Sequence, residues 1–164
     1  MIAVPPPVYP WPIGVGPRFH PPAANVAVAA EKPIAGMRCG HEGRTFRVHI
    51  ELFADRKVII VPPGIGVAKG GGCHYPLRTT TPTGVVDVCG GERRTLGDLF
   101  RVWGRQLGRS RLLSFRRSVA VFVDGRRWRG SPTAVPLRRH GQIVIEAGGY
   151  LAPHATYLFP KGDG

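Results

Sequence analysis

The sequence predicts an α+β domain in which a mixed sheet, built from two hairpins, is covered by one amphipathic helix. Three observations carry that prediction. Residues Phe46–Phe53 alternate apolar and polar side chains, and the polar turn Ala54-Asp55-Arg56 leads into a second apolar run, Lys57–Val61, the pattern of a hairpin with one face on a core. Residues Ser118–Val123 alternate likewise before Asp124-Gly125, a strong two-residue hairpin signal, and the basic arm Arg126–Gly130. Between the hairpins, Leu96, Leu99, Phe100, Trp103 and Leu107 recur at helical spacing.

Composition bounds the answer. A chain of 164 residues is about one domain, and 23 glycines and 17 prolines favour short strands and turns over long helices. No stretch approaches the roughly 18 to 20 consecutive apolar residues of a membrane span. Met1–Val4 runs into Pro5-Pro6-Pro7 without a basic or uninterrupted apolar region, which does not read as a signal peptide. That points to a cytoplasmic location, and a start further upstream would make it extracytoplasmic.

Taken in order, residues 1–35 form a Pro-rich extension with nine prolines among Tyr9, Trp11 and Phe19. Proline lacks the amide donor and fixes φ, so this extension is expected to be extended or polyproline-like. Its aromatic residues are candidates to dock on the domain, and Ala23–Ala30 is a candidate edge strand. A single α+β domain then spans residues 36–160. Gly36–Gly43 is a turn-rich approach carrying Cys39 and His41, and the first hairpin follows. In it Phe46, Val48, Ile50 and Leu52 should face the core, with Arg47, His49 and Glu51 facing water or a ligand.

Pro62-Pro63-Gly64 and the glycine-rich excursion Lys69–Gly72 lead to a short strand over Gly84–Val88, and Gly90-Gly91 breaks the chain. Thr95 followed by Asp98 is a variant capping box and starts the helix. The helix is expected to run about three turns to near Gly108, weakened by Gly104, with Arg101 and Arg105 facing away. After the second hairpin, Pro132 and Pro136 mark a loop, Ile143–Ala147 is the last strand, and Tyr157–Pro160 suits a short edge pairing. Hairpin, strand, helix, hairpin, strand is the order of a β-grasp-like sheet, and Val135–Ile145 resembles the last-strand entry of ubiquitin-like domains.

Two sets of residues are candidates for function. His49, Cys73 and His74 combine imidazole and thiolate, which suit copper or zinc, but they lack the tight spacing of a specific ligand set. Three cysteines allow at most one intrachain bridge. Cys39 precedes the first core strand, so a Cys39–Cys73 bridge with Cys89 free is one arrangement, and three free thiols is the other. The second set is basic. The net charge is +13, and thirteen of 47 residues between Arg93 and Arg139 are arginine. Guanidinium groups bind phosphate bidentately and stack on bases, and Arg101, Arg105, Arg127 and Arg129 are the candidates for a nucleic-acid or anionic-surface contact. An Arg bias with Gly and Ala also follows from high genomic GC content. No helix-turn-helix, zinc-finger or RNA-recognition signature accompanies it.

The run Gly36–Asp87 resembles a group of uncharacterised, mostly secreted bacterial proteins. They place a histidine-rich strand before an Ile-Pro-x-Gly-Ile-Gly turn and a Cys-x-x-x-Leu-His-Thr-His segment. Pro62-Pro63-Gly64-Ile65-Gly66-Val67 matches the turn, His49 one strand histidine, and Cys73 and Leu77 the second segment. Where the resemblance implies further histidine ligands, this chain has Thr45, Arg47, Arg78, Thr80 and Asp87. It therefore looks like a member that kept the scaffold and lost most of a metal site. The first reading is a non-enzymatic binding or structural module without a cofactor. The second is an Arg-rich binder of nucleic acid or an anionic surface, and the third a copper or zinc protein.

Overall fold

The computed structural model describes residues 18–21, 32–40, 43–90 and 93–161. The expected strand over Ala23–Ala30, most of the Pro-rich extension and His41 lie outside them. The fold is α+β, with one helix packed against a mixed multi-strand sheet and a small second sheet beside it. Ten strands form among the described residues: β1 (Arg18–Phe19), β2 (Thr45–Ala54), β3 (Lys57–Ile59), β4 (Leu77–Arg78), β5 (Val85–Cys89), β6 (Leu107–Gly108), β7 (Arg111–Leu112), β8 (Val119–Val123), β9 (Arg126–Trp128) and β10 (Gln142–Ala147). The helix α1 spans Leu96–Trp103, and a 3₁₀ turn spans Pro132–Ala134.

The sheet is organised on β2. Its central partner is β10, parallel, with Ile143 opposite Ile50 and Ile145 opposite Leu52. On β2's other edge, the end of the strand pairs with β3 and its start with β5, both antiparallel. The main path therefore runs β1-β3-β2-β10-β8-β9, the β-grasp-like order expected from two hairpins around a helix. Both hairpins turn on two residues with positive φ, Asp55-Arg56 and Asp124-Gly125, the type I′ geometry that matches strand twist. The predicted alternation holds on the inner face. Val48, Ile50 and Leu52, with Ile143, Ile145, Val121, Val86 and Val88, are buried against Leu96, Leu99, Phe100, Val102 and Trp103.

Several expectations need correction. The helix ends at Trp103, not near Gly108, and Leu107 belongs to β6. Gly104 adopts φ 71°, a left-handed conformation in which the amide of Gly104 donates to Arg101 and that of Arg105 to Phe100. Those two bonds make a Schellman stop, so this glycine terminates the helix. At the other end the Thr95 and Asp98 capping box forms as expected. The strands β4, β6 and β7 had no periodic signal, being only two residues long.

The polar face of β2 was expected to meet water or a ligand, yet His49 and Glu51 on it are buried and Arg47 stays partly exposed. The chain after β10 turns back and crosses this face, placing Leu151, His154 and Tyr157 over Glu146, Glu51 and His49. His49 retains only 2% of its accessible surface and Gln142 only 1%. At the N-terminal side, Phe19 packs edge-on against Phe115 at 5.2 Å, so an aromatic residue of the Pro-rich extension docks on the domain.

Candidate functional site

The metal candidates are drawn into structural bonding. His49 sits mid-strand with both ring nitrogens against oxygen acceptors, Nδ1 2.6 Å from Gln142 Oε1 and Nε2 2.8 Å from the Thr83 carbonyl. Its ring stacks on Tyr157 at 3.7 Å. Burial pushes its pKa below the ordinary histidine value, and Gln142, Glu51 and Thr83 pull against that. The row continues outward: Gln142 Nε2 donates to Glu51 Oε1 at 2.6 Å, and His154 Nδ1 donates to Glu51 Oε2 at 3.0 Å. Glu51 raises the pKa of His154, chiefly through that hydrogen bond. Glu146, buried on the same face, accepts the Leu151 amide at 2.7 Å, and burial raises its pKa.

Cys73 is bonded to Cys39, with Cα atoms 5.6 Å apart, and Cys89 is the buried free thiol. His74 lies next to the bridge, its Nδ1 3.0 Å from the Tyr75 carbonyl and its own carbonyl accepting the Gly40 amide. Among the described residues no three of His, Cys, Asp and Glu stand together as ligands for an ion. Where the resemblance implies histidines, β2, β5 and β4 instead align Arg47, Asp87 and Arg78. Arg47 Nε donates to Asp87 Oδ1 at 2.9 Å, and Arg78 Nε lies 3.5 Å from the other carboxylate oxygen.

The basic candidates border two grooves. Arg101 and Arg105 border a groove of about 620 Å³ along α1, with Thr95, Phe100 and Thr133. Arg129 borders a second groove of about 420 Å³, with Arg109, Val121, Trp128 and Pro132. The 3₁₀ turn stands between them, since it supplies Thr133 to one and Pro132 to the other. Arg127 borders the second groove too, beside Arg129. It stands opposite Phe122 in the β8–β9 pairing, on the face away from α1, and its guanidinium lies 5.7 Å from the Phe122 ring. Trp128 packs inward, as the alternation of β9 implies, and its Nε1 donates to the Ser131 carbonyl at 2.9 Å.

Sequence reasoning did not single out Arg109. It lies in the tight turn between β6 and β7, where the apparent helical continuation through Leu107 hid the hairpin. A third, open groove of about 470 Å³ follows on the next arginines, Arg111, Arg116 and Arg117, with Ser110 and Ser118. Each of the three carboxylates among the described residues of this half accepts a backbone amide. Asp98 accepts from Thr95, Asp124 from Gln142 and Glu146 from Leu151, all backbone amides. Arg117 is paired across the molecule with Asp55 at 3.1 Å. No family model, curated protein or solved structure matches the chain.

Proposed function

We propose that this protein is a non-enzymatic binding module for a phosphate-bearing polyanion, a nucleic acid being the favoured partner. One observation carries the reading. Three neighbouring grooves between Thr95 and Thr133 each hold two or more arginines, while Asp98, Asp124 and Glu146 each give one carboxylate oxygen to a backbone amide. Grooves of guanidinium groups track a phosphate chain. A lipid surface is less well served, because the large exposed apolar side chains among the described residues, Tyr150 and Leu158, follow β10 in the segment that crosses the opposite face. On this reading the Arg47, Asp87 and Arg78 row is an ion-pair replacement for the ligands of the histidine-rich proteins that the chain resembles.

The test is a salt-titrated binding series with mixed-sequence DNA and RNA, with phosphatidylglycerol vesicles as the comparison. Log affinity for nucleic acid should fall with log salt by about 0.7 to 0.9 per phosphate neutralised. Replacing Arg109 and Arg129 together by Gln should flatten that slope without lowering the thermal midpoint. Absence of nucleic-acid binding at about 50 mM salt, where such contacts are strongest, overturns the proposal. So does binding confined to the vesicles.

A further inference from the structure

A smaller and more apolar cleft, of about 220 Å³, lies between the inner side of β8 and β9 and the segment that enters β10. Val123, Trp128, Pro136 and Ile143 line it, together with Asp124, Arg126 and Arg138. The strand register puts Arg126 opposite Val123 and Trp128 opposite Val121, so Arg126 and the indole share the side that carries the cleft. Arg126, Arg138 and Asp124 are exposed and therefore stand at its mouth. Trp128 also borders the groove of about 420 Å³ that holds Arg109 and Arg129. One indole thus belongs to two cavities, each bearing arginines, and its Nε1 bond to the Ser131 carbonyl fixes its plane.

We propose that this cleft holds one nucleobase of a single-stranded nucleic acid, with the indole of Trp128 as its stacking wall and the flanking phosphates on Arg126, Arg138, Arg109 and Arg129. The proposal rests on the polyanion reading and adds to it the kind of strand. Size selects the occupant first. The cleft is smaller than the roughly 300 to 1,000 Å³ of sites for drug-sized ligands, and it admits a single planar ring system. Charge selects next: a lone carboxylate would engage one guanidinium, whereas five arginines, Arg127 among them, border the two cavities that share the ring.

Asp124 narrows the choice further. Its Oδ1 accepts the Gln142 amide at 2.9 Å, which leaves Oδ2 as an acceptor at the mouth. A carboxylate there repels a second carboxylate, but it accepts a hydrogen bond from the exocyclic amine of adenine or cytosine. Bases paired and stacked in a duplex cannot enter, so the cleft distinguishes single strands, and aromatic stacking is a recurrent device for holding them.

The experiment titrates the full chain with oligo-dA, oligo-dC and oligo-dT of equal length, with a matching duplex, and with inorganic phosphate, at about 50 mM salt. Affinity and tryptophan emission are both recorded. Oligo-dA and oligo-dC should bind about tenfold more tightly than the duplex, the scale of one stacked base, and should quench emission. In Trp128→Phe the quenching should vanish, and in the double variant Arg126→Gln, Arg138→Gln the single-strand preference should fall while the thermal midpoint holds. Asp124→Asn keeps the Oδ1 acceptor for Gln142 and should remove the advantage of dA and dC over dT. Equal binding of duplex and single strands, without quenching, overturns the cleft assignment and leaves the polyanion reading standing. No binding of any nucleic acid overturns both, and a response to inorganic phosphate equal to that of the oligomers overturns the base-binding role.

Discussion

At the scale of single residues, the buried row under the C-terminal segment makes stability depend on pH in two opposed ways. His154 has its pKa raised by Glu51, so its contribution is fully present below the unfolded value of about 6.5 and is lost as pH rises through the folded value. His49 has its pKa lowered by burial, so its contribution is present above about 6.5 and is lost as pH falls through its folded value. The two ring systems are linked through Gln142 and Glu51. His154→Gln should therefore destabilise the protein more at pH about 5.5 than at pH about 8. Thermal melts of the variant and the parent across that range measure it, and a destabilisation independent of pH would show that the Glu51 pair is not the source. None of this pairing was legible in the sequence. His49 alternated with core residues and so read as an outward side chain, because the residues that cover it lie some hundred positions later and follow no period.

At the scale of elements, local chemistry was legible and non-local chemistry was not. Asp124-Gly125 and the Thr95 to Asp98 box were readable because each closes its hydrogen bonds within a few residues. The helix end was misread because Leu107 falls at helical spacing, while the stop depends on what Gly104 does alone. Emptying the inner stripe tests the phase of that helix. Phe100 is buried and packs on Trp103 at a centroid distance of 5.4 Å, so Phe100→Ala should cost about 3 to 5 kcal/mol by chemical denaturation, whereas exposed Arg101→Ala should cost little. Gly104→Ala places a Cβ in a left-handed conformation and should cost about 1 kcal/mol, a loss that a glycine in mid-helix would turn into a gain. Of the four candidate arginines, Arg101 and Arg127 lie on α1 and β9 and Arg105 and Arg129 just beyond them, and their grouping was not legible. It depends on the 3₁₀ turn and on the pairing of β6 with β7, which bring Arg109 beside Trp128.

At the scale of the whole molecule, a covalent tie and a charge imbalance set the stability. The Cys39–Cys73 bridge closes 34 residues and should contribute about 3 to 4 kcal/mol by restricting the unfolded chain. Thiol counting in denaturant should find one free group before reduction and three after it. The net charge of +13 works in the other direction, because arginines crowded along the grooves repel one another in the folded state. Salt screens that repulsion over about 8 to 10 Å near physiological strength. The unliganded protein should therefore melt at a higher temperature as salt is raised from about 50 to 500 mM. A bound single strand supplies the missing negative charge and stabilises the native state by mass action, but its own affinity falls with salt. In excess oligo-dA the melting temperature should be raised at low salt, and the difference from the free protein should close as salt increases. Melting curves with and without the oligomer measure both trends at once: parallel curves at every salt concentration would mean that the strand does not engage the arginines that repel one another.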